Sequence, residues 1–108
     1  MKIWTKISIM LLFVSGVHAT PDWSVNPADF QYNGSVTSKV KIDGEFVGST
    51  DDLLAAFVDG ELRGVINGLE QPPFLGGGFA FYLMIFSNSP SGENIFFKYY
   101  DASLDTIY

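Results

Sequence analysis

The sequence predicts an all-β domain, an antiparallel β-sandwich of immunoglobulin-like general architecture. Three observations predict it. Apolar and polar residues alternate over several short stretches. Two Asp-Gly pairs, which suit two-residue hairpin turns, sit between such stretches. The other breaks are rich in Gly, Pro, Asn and Ser, at intervals typical of short strands.

Residues 1–19 read as a cleavable signal peptide of a bacterium-like cell. Lys2 and Lys6 form a charged start, residues 7–17 are apolar or small, and Val17-His18-Ala19 offers the side chains a signal peptidase reads. The apolar stretch is about 11 residues against the roughly 20 that span a bilayer, which weighs against a retained anchor. The expected product is residues 20–108, one domain, secreted or held at the cell surface. Removing residues 1–19 takes two of the 6 basic residues and none of the 12 acidic ones, so the net charge moves from −6 to 4 − 12 = −8. So acidic a surface repels phosphate backbones and anionic headgroups, so neither nucleic acid nor, after cleavage, a membrane is an expected partner.

Val36, Val40 and Ile42 share one face with Ser38 while Thr37, Lys39 and Lys41 share the other, so residues 35–43 read as one half-buried strand. Asp43-Gly44 turns the chain into Glu45-Phe46-Val47. After the polar break Ser49-Thr50-Asp51-Asp52, residues 53–58 are apolar and end at Asp59-Gly60. Beyond that turn Leu62, Gly64 and Ile66 alternate with Arg63, Val65 and Asn67, which makes the clearest hairpin in the chain. A helix begun at Ser49 or Thr50 has no room before that turn. Residues 67–78 hold Gly68, Pro72, Pro73 and Gly76-Gly77-Gly78 and read as a loop. The glycine triplet precedes an aromatic strand, not the Lys-Ser or Lys-Thr and helix of a phosphate cradle. Residues 79–86 are apolar on both faces and predict a strand covered on both sides. Asn88-Ser89-Pro90-Ser91-Gly92 is a turn, and residues 95–100 a strand with Ile95, Phe97 and Tyr99 on one face. Asp105-Thr106-Ile107-Tyr108 begins another strand, so the expectation is a fragment of a longer protein, truncated at the C-terminus. Asn33-Gly34-Ser35 matches a glycosylation acceptor formally and is read as a turn.

Residues 23–32, opening Trp23-Ser24-Val25-Asn26-Pro27, residues 55–65, which contain Phe-Val-Asp-Gly-Glu-Leu-Arg-Gly-Val, and residues 97–102 together resemble a β-sandwich repeat module of large secreted multidomain bacterial proteins. The resemblance spans residues 23–108, and the hairpin is its strongest signature. It implies an extracellular, non-catalytic building block whose partners are neighbouring domains of a parent protein.

The only histidine, His18, lies in the signal peptide, and there is no cysteine, so residues 20–108 lack a Ser-His or Cys-His relay and zinc ligands of either type. Without disulfides the fold rests on packing. Of 10 Phe, 5 Tyr and 2 Trp, only Phe13 and Trp4 fall in the signal peptide. Paired carboxylates could serve glycoside hydrolysis, but Asp59 and Glu61 flank a solvated turn. No cofactor is expected; the one cation the composition suits is calcium, through Asp51, Asp52, Asp59 and Glu61, and no regular calcium-loop spacing is present. Asp59, Gly60 and Arg63 read as structural, with Arg63 clamping Glu61 or Asp59. Trp23, Tyr32, Tyr82, Tyr99 and Tyr100 are candidate sugar-stacking rings, although strand aromatics more often fill a core. The expected function is therefore that of a structural and interaction unit, the alternative a carbohydrate-binding module tethering an attached enzyme or adhesin to a polysaccharide.

Overall fold

A computed structural model describes residues 20–108; the signal-peptide expectation lies on residues 1–19, outside them. The strands are β1 (Tyr32–Ser38), β2 (Val40–Ile42), β3 (Glu45–Val47), β4 (Leu53–Val58), β5 (Glu61–Asn67), β6 (Leu69–Glu70), β7 (Phe79–Ser87), β8 (Phe96–Asp101) and β9 (Thr106–Ile107). All pairings are antiparallel, in the orders β1-β7-β6, β2-β3 and β5-β4-β8-β9. Among the described residues, helix is limited to two single turns, Pro27–Asp29 and Pro73–Leu75.

Both Asp-Gly pairs make their turns. Asp43 and Gly44 lie at φ 52° and 81°, Asp59 and Gly60 at 50° and 79°, with positive φ at both central residues, as the right-handed strand twist favours. Residues 35–43 are not one strand, however. The alternation persists, with Val36, Ser38, Val40 and Ile42 half-buried and Thr37, Lys39 and Lys41 exposed, but the ladder changes partner at Lys39. β1 pairs with β7, whereas β2 pairs with β3. Side-chain periodicity records which face is wet and is blind to which strand lies alongside.

The core lies between β4 and β8 on one side and β7 on the other: Leu54, Ala56, Phe81, Leu83, Ile85 and Tyr99, with Val36, Val40, Ile42 and Val47 packed against it. Phe81 and Tyr99 meet edge to face at 5.6 Å. The expectation that residues 79–86 are covered on both faces is corrected. Phe81, Leu83 and Ile85 are buried, but Tyr82 and Met84, on the other face, are 44% and 45% exposed. The predicted loop 67–78 likewise contains the short strand β6, which lies along β7 at Ala80 and Phe79.

Candidate functional site

The hairpin of β4 and β5 explains its own sequence. Phe57 pairs with Leu62 and Ala56 with Gly64, so Arg63 is the extra residue of a β-bulge. The bulge re-aims Arg63, whose Nε donates to Glu61 Oε1 at 2.7 Å. Its two terminal nitrogens donate as a fork to Glu93, at 2.9 and 3.2 Å, and one reaches the Phe86 carbonyl oxygen at 3.3 Å. The guanidinium also sits 5.5 Å from the Phe30 ring. Arg63 therefore ties β5 to β7, to the loop that follows β7, and to the segment preceding β1. The hydrogen bond to Glu93 holds the guanidinium above its ordinary pKa, and Arg63 followed by Ser87 holds the Glu93 carboxyl below its own. Glu93 is a partner that sequence reasoning missed, because it lies 30 residues away across an irregular loop.

The four acids considered for calcium fall at the two ends of β4, roughly 23 Å apart at the strand's rise per residue. Asp52 is 4% exposed and its oxygens are occupied. Oδ1 accepts from Ser49 Oγ and the Ala102 N–H, both at 2.9 Å, and Oδ2 accepts from the Tyr99 hydroxyl. Asp51 is exposed beside it, while Asp59 and Glu61 flank the far turn. Among the described residues, no group of three or more His, Cys, Asp or Glu is placed to hold a metal ion. Burial, then the Asp52 carboxylate, pushes the Tyr99 phenol well above its ordinary range.

The candidate sugar-stacking rings are dispersed. Tyr99 and Tyr100 are buried, and the Tyr100 hydroxyl donates to Asp105 at 2.8 Å. Trp23 is half-buried, edge to face with Phe57 at 5.7 Å. Tyr32 and Tyr82 are exposed, but Tyr32 pairs with Ser87 and Tyr82 with Thr37, an odd number of positions apart along the β1–β7 ladder, so they point to opposite faces of one sheet. The Tyr82 hydroxyl donates to Gln71.

Comparison with protein-family models, with curated proteins and with solved structures found no match.

What the geometry does offer is an open seam. A Cβ on Gly64 would lie 2.2 Å from the Met84 carbonyl oxygen, so β5 presses directly onto β7 and closes that side. On the other side the sheets stand apart and two clefts enter between them. One, of about 260 Å³, runs from Tyr32 and Val36 past Ile85 to Glu93 and Ile95. The other, of about 460 Å³, lies between β1–β2 and β8. The exposure of Ile95 and Phe97, 40% and 47%, follows from this opening, although they share Tyr99's side of the strand.

Proposed function

We propose that residues 20–108 are a non-catalytic, exported β-sandwich module acting as a structural and interaction unit of a larger bacterial extracellular protein. The observation that carries this reading is the placement of the five candidate rings. A sugar-binding platform needs aromatic faces gathered on one accessible surface. Here two rings are buried, one is half-buried against Phe57, and the remaining two look out from opposite faces of a sheet. The absence of histidine and cysteine from residues 20–108 supports a non-catalytic role. Fixed elements support a scaffold: two positive-φ turns, the Arg63 clasp and the Asp52 hub. Export rests on the pattern of residues 1–19.

The test is a glycan array probed with the purified chain and with Trp23→Ala. A folded chain that binds no glycan is the expected result. Specific binding that Trp23→Ala abolishes would replace this reading with a carbohydrate-binding module. Mass spectrometry of chain secreted by a bacterial host should find Thr20 at the N-terminus; retention of residues 1–19 would remove the export component.

A further inference from the structure

Residues 71–78 form a tip that holds apolar side chains out in solvent on a fixed frame. Pro72 and Pro73 restrict the backbone, and the chain then makes the single helical turn Pro73–Leu75. The Leu75 and Gly77 N–H groups donate to the Pro72 carbonyl at 2.9 and 3.1 Å, and the Gly76 N–H donates to that of Pro73 at 3.0 Å. Gly76, Gly77 and Gly78, all at positive φ, bring the chain back, and the Gln71 N–H closes the loop on the Gly78 carbonyl at 2.8 Å. Gln71 is buried at the base, where its amide accepts from the Tyr82 hydroxyl and donates to the Leu69 carbonyl. A glycine-rich segment is thereby held in one shape. At its apex Phe74 is 85% exposed, and Leu75 is exposed beside it.

The hairpin of β2 and β3 stands against the same loop. A Cβ on Gly48 would lie 2.5 Å from Phe79 Cβ, so the chain leaving the hairpin touches the chain leaving the loop. Lys39 joins the two. Its Nζ donates to the Gly77 carbonyl at 3.0 Å and stands 5.8 Å from the centre of the Phe46 ring, over which Lys41 lies at 4.7 Å. Phe46 is itself exposed. Both lysines are thus committed within the tip, whereas Asp43, Glu45 and Glu70 are exposed around it and enter no ion pair among the described residues. All of these bonds and contacts lie within residues 39–82.

We propose that Phe74 and Leu75, with Phe46 beside them, are a preformed knob that seats in an apolar, basic-rimmed pocket of an adjoining protein domain. The proposal deepens the interaction-unit reading and rests on it. A ring so exposed at the apex of a turn is buried only by something that closes around it. A second copy meeting tip to tip would set one apex on another and bring the same acids together, so it fits poorly. A lipid surface is disfavoured by charge, since residues 20–108 hold 12 acids against 4 bases and repel anionic headgroups. A protein pocket, in contrast, gains from the fixed turn, because ordering a loose loop on binding costs entropy that a preformed one avoids. An aromatic anchor filling a pocket is also the usual centre of such a contact. The basic rim follows from Asp43, Glu45 and Glu70 and from the acidic balance of the whole surface.

The test uses the full purified chain and, as probe, β-cyclodextrin, a ring of glucose units whose apolar cavity admits a phenyl group, in an amino-rimmed and a carboxymethyl-rimmed form. NMR reads the Phe74 ring and the Leu75 methyls. The amino form should shift both and bind about tenfold tighter than the carboxymethyl form at low salt. Raising salt from about 0.05 to about 0.5 M should narrow that difference, since the Debye length shortens severalfold. Phe74→Ala should abolish the shifts and leave the thermal midpoint unchanged, because so exposed a ring adds little to packing. In the free chain, amide exchange at Leu75, Gly76 and Gly77 should be slow; exchange at the rate of an unstructured peptide overturns the preformed knob. Equal binding of the two forms, or shifts centred on Phe96 with Phe74 unmoved, overturns the proposal. So does binding to phosphatidylcholine or phosphatidylglycerol vesicles, or a dimer in the ultracentrifuge, that Phe74→Ala abolishes. Maltoheptaose, a linear chain of the same sugars without the cavity, should not bind. If it binds as well as the rings do, sugar recognition is at work and the module reading falls with the proposal, whereas no cyclodextrin binding with a blank glycan array removes the knob alone.

Discussion

Gly64→Ala is the substitution whose outcome the fold dictates most directly. The added Cβ would lie 2.2 Å from the Met84 carbonyl oxygen and 3.3 Å from Leu83 Cδ1, and real Cβ atoms essentially never come closer than 3.0 Å to such a neighbour. β5 must therefore retreat from β7 by about 0.8 Å, the gap between those two distances. The obstacle is backbone within a paired strand, not a flexible side-chain end. Overpacking of this kind costs ~1–3 kcal/mol, and the retreat also strains the Arg63 bonds that cross the same seam, so about 3 kcal/mol is expected. Gly60→Ala is the contrast. Its Cβ meets nothing within 4 Å, and its only penalty is φ +79°, worth ~1–2 kcal/mol. Urea denaturation of both variants at neutral pH gives the comparison. A Gly64→Ala variant within ~0.5 kcal/mol of wild type, or no worse than Gly60→Ala, would refute the claim that β5 and β7 close the sandwich by backbone contact.

Four further outcomes are expected. Phe81→Ala should cost ~3–5 kcal/mol by thermal or urea unfolding, since Phe81 is fully buried, whereas Phe97→Ala, 47% exposed over the open cleft, should cost under ~1 kcal/mol. The Tyr99 phenol is raised above its ordinary 10.0 in the folded state, so the stability it contributes is fully present below pH 10 and is lost as pH rises beyond it; Tyr99→Phe should flatten the alkaline limb of a stability profile. The Glu93 carboxyl is lowered from its ordinary 4.5, so its contribution is present above that value and disappears as pH falls through the lowered one; Glu93→Gln should be less stable than wild type at neutral pH and equal to it in strong acid. A calcium chelator should leave the melting curve unchanged, because Asp52 is committed to Ser49, Ala102 and Tyr99; a marked fall would return Asp51, Asp52, Asp59 and Glu61 as ligands.

Local features were legible in the sequence because their causes are local. Asp-Gly turns need positive φ at two adjacent positions, and those residues tolerate it; both turns formed with two-residue loops. The wet and dry faces of residues 35–43 were equally readable, since alternation follows from the pleat alone. The partner switch at Lys39 was not, for no residue there breaks the pattern. The outer face of β7 misled for a related reason. Tyr82 and Met84 are apolar enough to suggest cover, yet whether a second layer lies above them is decided by chain segments far away in sequence. At the site, Arg63 announced a local ion pair, but Glu93 came from a turn with no pattern to place it. The approach of Lys39, Lys41 and Lys98 to one cleft was hidden in the same way, because the junction before β2, β2 itself and β8 carry them and only the tertiary fold brings these together.

The open seam itself is a consequence of residue size. Stacked sheets ordinarily stand ~10 Å apart, the thickness of two interleaved side-chain layers. On the closed side the facing pair is Ala56 beside Gly64, and with so little between them the β5 backbone reaches the β7 backbone. Across the same core, Phe81 and Tyr99 stand edge to face, and two aromatic rings hold the layers apart. The sandwich is thereby wedged, thin at β5 and wide at β8. Tyr99 cannot relax the wedge by turning outward, since its hydroxyl is bound to Asp52 and that carboxylate also holds the chain at Ala102. The wide side therefore stays open by construction, with Phe97 over it and the lysines around it. Shrinking a ring should close it: in Phe81→Ala the layers can approach, and the exposure of Phe97 should change with them, a coupling between core and cleft that a flat sandwich would not show.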